Sequence, residues 1–521
     1  MGESAFQSIL DTNYAASDQE AIEIRDIIRH SETRMHLLWG KEAYLQGLLT
    51  EVLHEIAQLN GTIQQHRALL SPVRKLPNEL LERIFLLCSS PGSMVCQQLA
   101  RVCRRWRTLV HITALLWSNL TIPPLWIRQS QARTFNQKNI LGFIEESLHR
   151  SGECQLTLAW ETDSCLTRTE INIVTGMILP HCHRWRELSL ILRGVSQDSV
   201  LRALQGLAVS RIACLTSVRL VFGDTILADA ANWIHSPLLN APNLRSVYIS
   251  RLPYRLVTVH PDWSSLTDLS YFQPPESGSG LFWSRFKARD AYNVLRRCHQ
   301  LVTCSMVIQD DDDPEALISE IQSVDLPFLQ SLEIFARSRS IPALFQSFYA
   351  PALKTIKYIP YPEPSFHNRI ALLSLLASNG GQIQNLEIDV MAFTHADLVR
   401  SLTLTPLVRH VKSVNHPLQK EFASPCINYV QALLNILSPP VCGSLCPLLR
   451  DLDLGSLRDL RIRSGSGYAA PSSQGLRDFL EARKNLTVNH LRRVAVPATD
   501  SADKDGLIAL SKEFGVSIVA T

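Results

Sequence analysis

Residues able to do chemistry are few and scattered in this sequence. His181-Cys182-His183 sets three metal-ligand types in one run, and Cys442-Gly443-Ser444-Leu445-Cys446 has finger-like spacing. Asp310 to Asp313 offers consecutive carboxylates for a calcium ion, and Cys103 is a nucleophile by residue type. Each fails on spacing. Neighbours in an extended run point to opposite faces, so His181, Cys182 and His183 could not meet at one ion. The cysteine pair lacks a second pair nearby, and the aspartate run lacks the spaced ligands and central glycine of an EF-hand. Cys103 shares a helical face with apolar residues, which predicts a buried, inert thiol. There is no P-loop, G-x-G-x-x-G, G-x-S-x-G or H-E-x-x-H. The expectation is a chain with no catalytic residues, no metal and no cofactor.

Composition narrows the remaining classes. A length of 521 residues exceeds one compact core and implies two or three structural units. Lys and Arg number 51 against 48 Asp and Glu, a formal charge of +3, which argues against nucleic acid as the main partner. Arg101 to Arg107 is the one dense basic cluster and reads as the solvated face of a helix. No apolar run approaches the roughly 20 residues that span a bilayer, and Met1 to Phe6 is not a secretory signal. The expectation is an intracellular protein, cytoplasmic or nuclear, without a membrane partner, whose 12 cysteines are reduced and mostly core.

The elements that position an interaction surface are more legible than any catalytic site. Residues 1–17 carry no period and are expected to be disordered. Residues 18–71 read as one long amphipathic helix. Leu38, Leu45, Val52 and Leu59 recur every seventh residue, interleaved with Leu49, Ile56, Ile63 and Leu70, which is the seam of a coiled coil. Glu42 and His66 interrupt the seam, and Gly61 weakens the helix. Self-association through residues 38–70 and packing on its own chain both fit this pattern. Ser71-Pro72 ends the helix.

Next comes Leu76-Pro77-Asn78-Glu79-Leu80-Leu81-Glu82-Arg83-Ile84-Phe85, then Val102-Cys103-Arg104-Arg105-Trp106 and Trp117. Pro77 suits a first helical turn, and Glu79 and Glu82 favour its positive end. Leu80, Leu81, Ile84 and Phe85 make one apolar face, and Leu99, Val102, Cys103 and Trp106 another, on a second helical run. The module carries more apolar residues than its own core needs, which marks a docking site.

Residues 72–122 resemble the F-box in these positions. The resemblance implies a three-helix module that docks on the Skp adaptor of cullin–RING ubiquitin ligases. Leu76, Pro77, Leu80, Ile84, Phe85, Val102, Cys103 and Trp106 would form or support that contact. The stretch from Phe85 to Cys103 is longer than in most F-boxes, which places a longer inter-helix loop at Ser89 to Ser93. The chain would then be a non-catalytic substrate receptor of an SCF-type ligase. The alternative is a scaffold that binds the adaptor without ligase activity, dimeric through its first helix.

Residues 123–180 read as a linking segment with the first strand and helix units, Asn139 to Arg150 an amphipathic helix and Gln155 to Trp160 an apolar strand, and residues 181–521 repeat one pattern: apolar, two spacers, apolar, spacer, apolar. Examples are Trp185-Leu188-Leu190, Leu215-Val218-Leu220, Leu244-Val247-Ile249, Leu329-Leu332-Ile334 and Leu449-Leu452-Leu454, with helical runs between them. This resembles the leucine-rich repeat, at a looser spacing of about 22 to 40 residues. The expected fold class is mixed α and α/β: a coiled-coil-like helix, a three-helix F-box, and an α/β repeat solenoid of irregular repeats. A doubly wound α/β domain is the structural rival, although no Gly-rich turn follows these strands. Loops are expected near 273–280, 310–314 and 464–475. If the Leu-type residues turn inward, the spacers line an open face. Tyr248, Phe272 and Phe335 would be aromatic anchors there, and Glu387, Asp389, Asp451 and Asp453 an acidic end suited to a basic surface on a target protein.

Overall fold

The computed structural model describes residues 6–88, 95–122, 137–162, 168–192, 197–222, 236–250, 263–272, 286–309, 318–337, 341–360, 366–414, 429–438, 445–454, 473–484, 491–496 and 501–520. The chain divides into two compact units, Met1–Ile84 and Phe85–Thr521. Helices dominate the amino-terminal part and a parallel sheet the rest, the mixed α and α/β class expected. Among the described residues no helix is long and apolar enough to cross a membrane.

The first unit is built on α1, Asp18–Leu69, one unbroken helix of 52 residues. The Glu20 carboxylate starts it, accepting from the Ser17 backbone N–H at 2.8 Å and from the Ser17 hydroxyl at 2.7 Å. Those bonds favour the ionised form and hold Glu20 below the usual carboxylate range. The Tyr14 hydroxyl donates to the same carboxylate, and Gln7–Ile9 forms a 3-10 turn, so local order precedes the helix. Gly61 does not break α1, and none of its residues is buried. A 3-10 turn, Pro72–Lys75, follows, as Pro72 requires.

The second unit carries a sheet of fourteen described strands, parallel throughout. It begins at Asn119–Ile122 and ends at Ser517–Ala520, and the strands lie in chain order. Val324–Asp325 and Phe348–Tyr349 form a separate pair beside it. An order that never reverses has no switch point, which excludes the doubly wound alternative. Helices such as Gln137–Arg150, Phe366–Asn379, His395–Thr403 and Ser473–Lys484 connect successive strands.

The entrance to each strand repeats. An apolar residue closes a three-residue turn, as Leu215 N–H donates to Ile212, Leu244 to Ala241, Leu329 to Leu326 and Leu449 to Cys446. The next residue then donates to the equivalent carbonyl one strand back. Thr216 donates to Arg186, Arg245 to Thr216 and Thr267 to Arg245, each at 2.8 Å. From Arg186 to Thr267, cross-strand register therefore passes in step from one strand to the next. Leu188, Val218, Val247 and Leu269 lie side by side, and so do Leu190, Leu220, Ile249 and Tyr271. All are buried, and each such side chain contributes about 1.5–3 kcal/mol of apolar burial.

The strand and helix read within 123–180 are Leu156–Glu161 and Gln137–Arg150, joined by a further helix, Arg168–Ile178, and they continue the same sheet back to Asn119–Ile122. Several expectations are revised here. His410–Ser413 is a strand that the apolar series lacks, since its third inward position is the buried Ser413. Ser473 to Gly475 open a helix rather than a loop. His181-Cys182-His183 sits in the 3-10 helix Leu179–Arg184, not on a strand. Cys182 is buried there, and Arg184 donates to His181 Nδ1 at 3.2 Å. Desolvation first, then the Arg184 charge, lowers the affinity of His181 for a proton. The runs 273–280, 310–314 and 464–472, with Cys442, lie outside the described residues.

Buried polar groups tie neighbouring units together. Arg184 donates to Ser151 Oγ at 3.2 Å and to the Cys154 carbonyl at 3.3 Å. Arg483 repeats the device, reaching the Cys446 and Leu445 carbonyls at 3.0 Å each. Asn379 accepts from Ala350 N–H at 2.9 Å and donates to the Phe348 carbonyl at 3.2 Å. The described cysteines are free thiols. Burial pushes Cys298 and Cys446 up to about 12, so they stay protonated and pack as small hydrophobes.

Candidate docking surface of the helical module

The surface is built on α2, Asn78–Cys88, which begins directly after Pro77 with Glu79 in its first turn. Its apolar residues divide between two faces. Leu81 and Phe85, one turn apart, are buried, and Phe85 is 0% exposed. Leu80, Ile84 and Leu87 recur at i, i+4 and i+7 on the other side. Ile84 is 43% exposed and Leu87 81%, so this stripe faces outward. Leu76 is half-buried and Pro77 exposed. Residues 89–94 lie outside the described residues, and with them the expected loop at Ser89 to Ser93.

The second helical run is two helices, α3 (Val95–Val102) and α4 (Arg104–Ile112). Cys103 breaks it with an extended backbone and caps α4, its Sγ accepting from Trp106 N–H at 3.5 Å. It is therefore exposed rather than buried. The expected single apolar face of Leu99, Val102, Cys103 and Trp106 does not form, because extended backbone at Cys103 separates α3 from α4. Val102 is 60% exposed. Trp106 is half-buried and meets the Phe85 ring edge-on, with centroids 4.8 Å apart.

The far side of these helices is anchored within the second unit. Cys96 is buried and its thiol donates to the Leu116 carbonyl at 3.1 Å, while burial raises it to about 11. Trp117 Nε1 donates to the Val110 carbonyl at 2.7 Å. The Arg150 guanidinium lies 5.4 Å from the Trp117 ring. Trp117 leads straight into the first strand, Asn119–Ile122, which pairs with Leu156–Glu161. Of the residues expected at the docking contact, Leu80, Ile84 and Val102 are outward, whereas Phe85 belongs to the core. Leu87 is an addition to that set; its seven-residue spacing from Leu80 is the signal for it.

The open face of the strands differs from the expected acidic end. Asp389 is 0% exposed and lies inside, because it falls one residue beyond its strand, Asn385–Ile388. Glu387, Asp451 and Asp453 are half-exposed, but the unanticipated strand runs between them. Lys412 takes register between Glu387 and Asp453, and His410 Nδ1 lies 2.6 Å from Asp451 Oδ2. One register row thus reads Glu333, Lys357, Glu387, Lys412, Asp453, alternating in sign. Towards the other end, the Arg219 guanidinium lies 3.8 Å from the Tyr248 ring, and Lys357 sits 5.4 Å from the Phe335 ring and pairs with Glu333. Phe272 ends its strand, and its side chain lies outside the described residues. Among the described residues no group of three His, Cys, Asp or Glu side chains could hold a metal.

The F-box-like family model matches residues 73–123. No curated protein matches the chain. Among solved structures, the chain is similar to one in the crystal structure of the Rad7 and Elc1 complex in yeast. That likeness has 13% identity, covers 79% of this chain and 97% of that one, and has a TM-score of 0.35. The family match begins within the 3-10 turn before α2 and takes in the whole first strand of the sheet, Asn119–Ile122. With its helices, its Phe85–Trp106 ring pair and its outward apolar stripe in that span, the chain carries an F-box-like domain at residues 73–123.

Proposed function

We propose that this protein is a non-catalytic substrate receptor of a cullin–RING ubiquitin ligase. Its F-box-like domain docks a Skp-type adaptor, and its sheet region holds a target protein. The observation that carries the reading is the stripe Leu80, Ile84 and Leu87 on a helix whose opposite face is already buried. A few desolvated apolar anchors of this kind dominate protein interfaces. The mechanism is proximity: a target held beside a ubiquitin-loaded enzyme turns a bimolecular transfer into an effectively intramolecular one.

We read the ladder of strands as leucine-rich-repeat-like, with Tyr248 and Phe335 on the face offered to the target. Each ring already carries a cation, which suits a target surface with carboxylates as well as apolar groups. Co-expression with the adaptor tests the first step. Wild type should co-purify with it, and the Leu80→Asp/Ile84→Asp variant should not, while keeping the same sheet melting transition. Loss of neither or both would reject the reading. The exposed α1 supports a second reading, a scaffold that binds the adaptor alone; adaptor recovered without cullin would favour it.

A further inference from the structure

We infer that α1 joins two copies of this chain, antiparallel, in the register that sets Glu42 against the partner's His66. A helix of 52 residues with none buried is not stabilised by its own unit. From Leu38 to Leu70 its seam keeps strict three- and four-residue steps, and Glu42 and His66 are its polar members. That span is about 33 residues, or about 50 Å of helix, which exceeds the three to four heptads a coiled coil needs.

The polar pair fixes direction. In a parallel dimer each seam residue meets its own copy, so Glu42 would face the partner's Glu42 and His66 the partner's His66. In an antiparallel dimer centred on His54, Glu42 meets the partner's His66 and the apolar members meet one another. Leu38 then faces the partner's Leu70, Leu45 the partner's Ile63, Leu49 the partner's Leu59, and Val52 the partner's Ile56. Sliding by one heptad sets Glu42 against the partner's Leu59 and His66 against the partner's Met35, which buries both polar groups unpaired. His66 is prepared for the contact. Its Nδ1 lies 2.8 Å from the Thr62 carbonyl, which leaves Nε2 to meet the facing carboxylate. A polar seam residue specifying register at some cost in stability is an established use of such groups.

Sedimentation equilibrium of the full-length protein and three variants tests this. Wild type should be a dimer at low micromolar concentration. Glu42→Lys and His66→Glu should each weaken dimerisation by roughly tenfold. The double variant should recover to within about threefold of wild type, because the introduced lysine then faces the introduced glutamate of the other copy. The parallel arrangement gives the opposite order, the double variant being weakest. A wild type monomeric throughout, or a double variant no tighter than the single ones, overturns the inference. Both positions are exposed in the single chain, so unchanged circular dichroism separates lost pairing from lost folding. The adaptor has no part in the assay, so failure here leaves the ligase reading standing.

Discussion

The strand ladder and the helix Asn78–Cys88 treat regularly spaced apolar residues in opposite ways. In the ladder each inward residue is covered by the equivalent residue of the next strand, so Leu188, Val218 and Val247 are all buried by repetition of the same chain. On α2 the covering is one-sided: Leu81 and Phe85 are buried, while Leu80, Ile84 and Leu87 meet solvent. A repeat supplies its own partner, whereas a short helical module satisfies one face and leaves the other for something else. The long helix α1 is the limiting case, with no residue buried.

That contrast is most severely tested at two adjacent residues of α2. Phe85→Ala removes a fully buried ring that packs on Trp106, and should cost about 3–5 kcal/mol of module stability in denaturant melts. A cost below about 1 kcal/mol would show that Phe85 is not core, and the two-faced description of α2 would fail. Within the ladder, Arg483→Met should cost about 2–3 kcal/mol, because the Cys446 and Leu445 carbonyls lose their donor inside the core. Hydrogen exchange should locate the loss in the units around Cys446 and leave those near Trp185 protected.

Ile84→Ala sharpens the comparison from the other side. Its side chain is partly in water, so melting should move by less than about 1 kcal/mol. If the stripe docks the adaptor, affinity measured by calorimetry should fall by about 2 kcal/mol. A variant that loses stability and not affinity would reverse the roles assigned to Ile84 and Phe85.

Why some of this was legible in the sequence and some was not follows from where information resides. Strands such as Ser217–Phe222 and Ser331–Arg337 announce themselves through three apolar positions at fixed spacing, since burial demands them. His410–Ser413 stayed hidden because a buried Ser413 fills the third position, and register with its neighbours, not residue type, holds the strand. Without that strand, Lys412 and His410 carry no signal in the apolar pattern, and a face that alternates in sign reads as acidic. The break at Cys103 was hidden for a related reason: the apolar period runs through it, and only the backbone, extended at φ −159°, shows the thiol acting as a cap. On α2 the sequence showed an apolar excess but not its division, because Ile84 and Phe85 are equally apolar and differ only in what lies beyond them.

The smallest expected effect bears on what the open face is for. Lys357 pairs with Glu333 on the next strand and sits over Phe335, and all three are half-exposed. Cross-strand pairs in such positions contribute about 0.2–1 kcal/mol, so Lys357→Met should barely move the melting transition. The same reasoning covers Arg219 over Tyr248. If these pairs exist only to finish the sheet surface, capture of a target should be as indifferent as stability. If they anchor a target, Lys357→Met and Arg219→Met should each reduce recovery of co-purifying target several-fold while leaving the melt unchanged. The ladder would then resemble α2 after all: complete on its inner face, and on its outer face built for a partner.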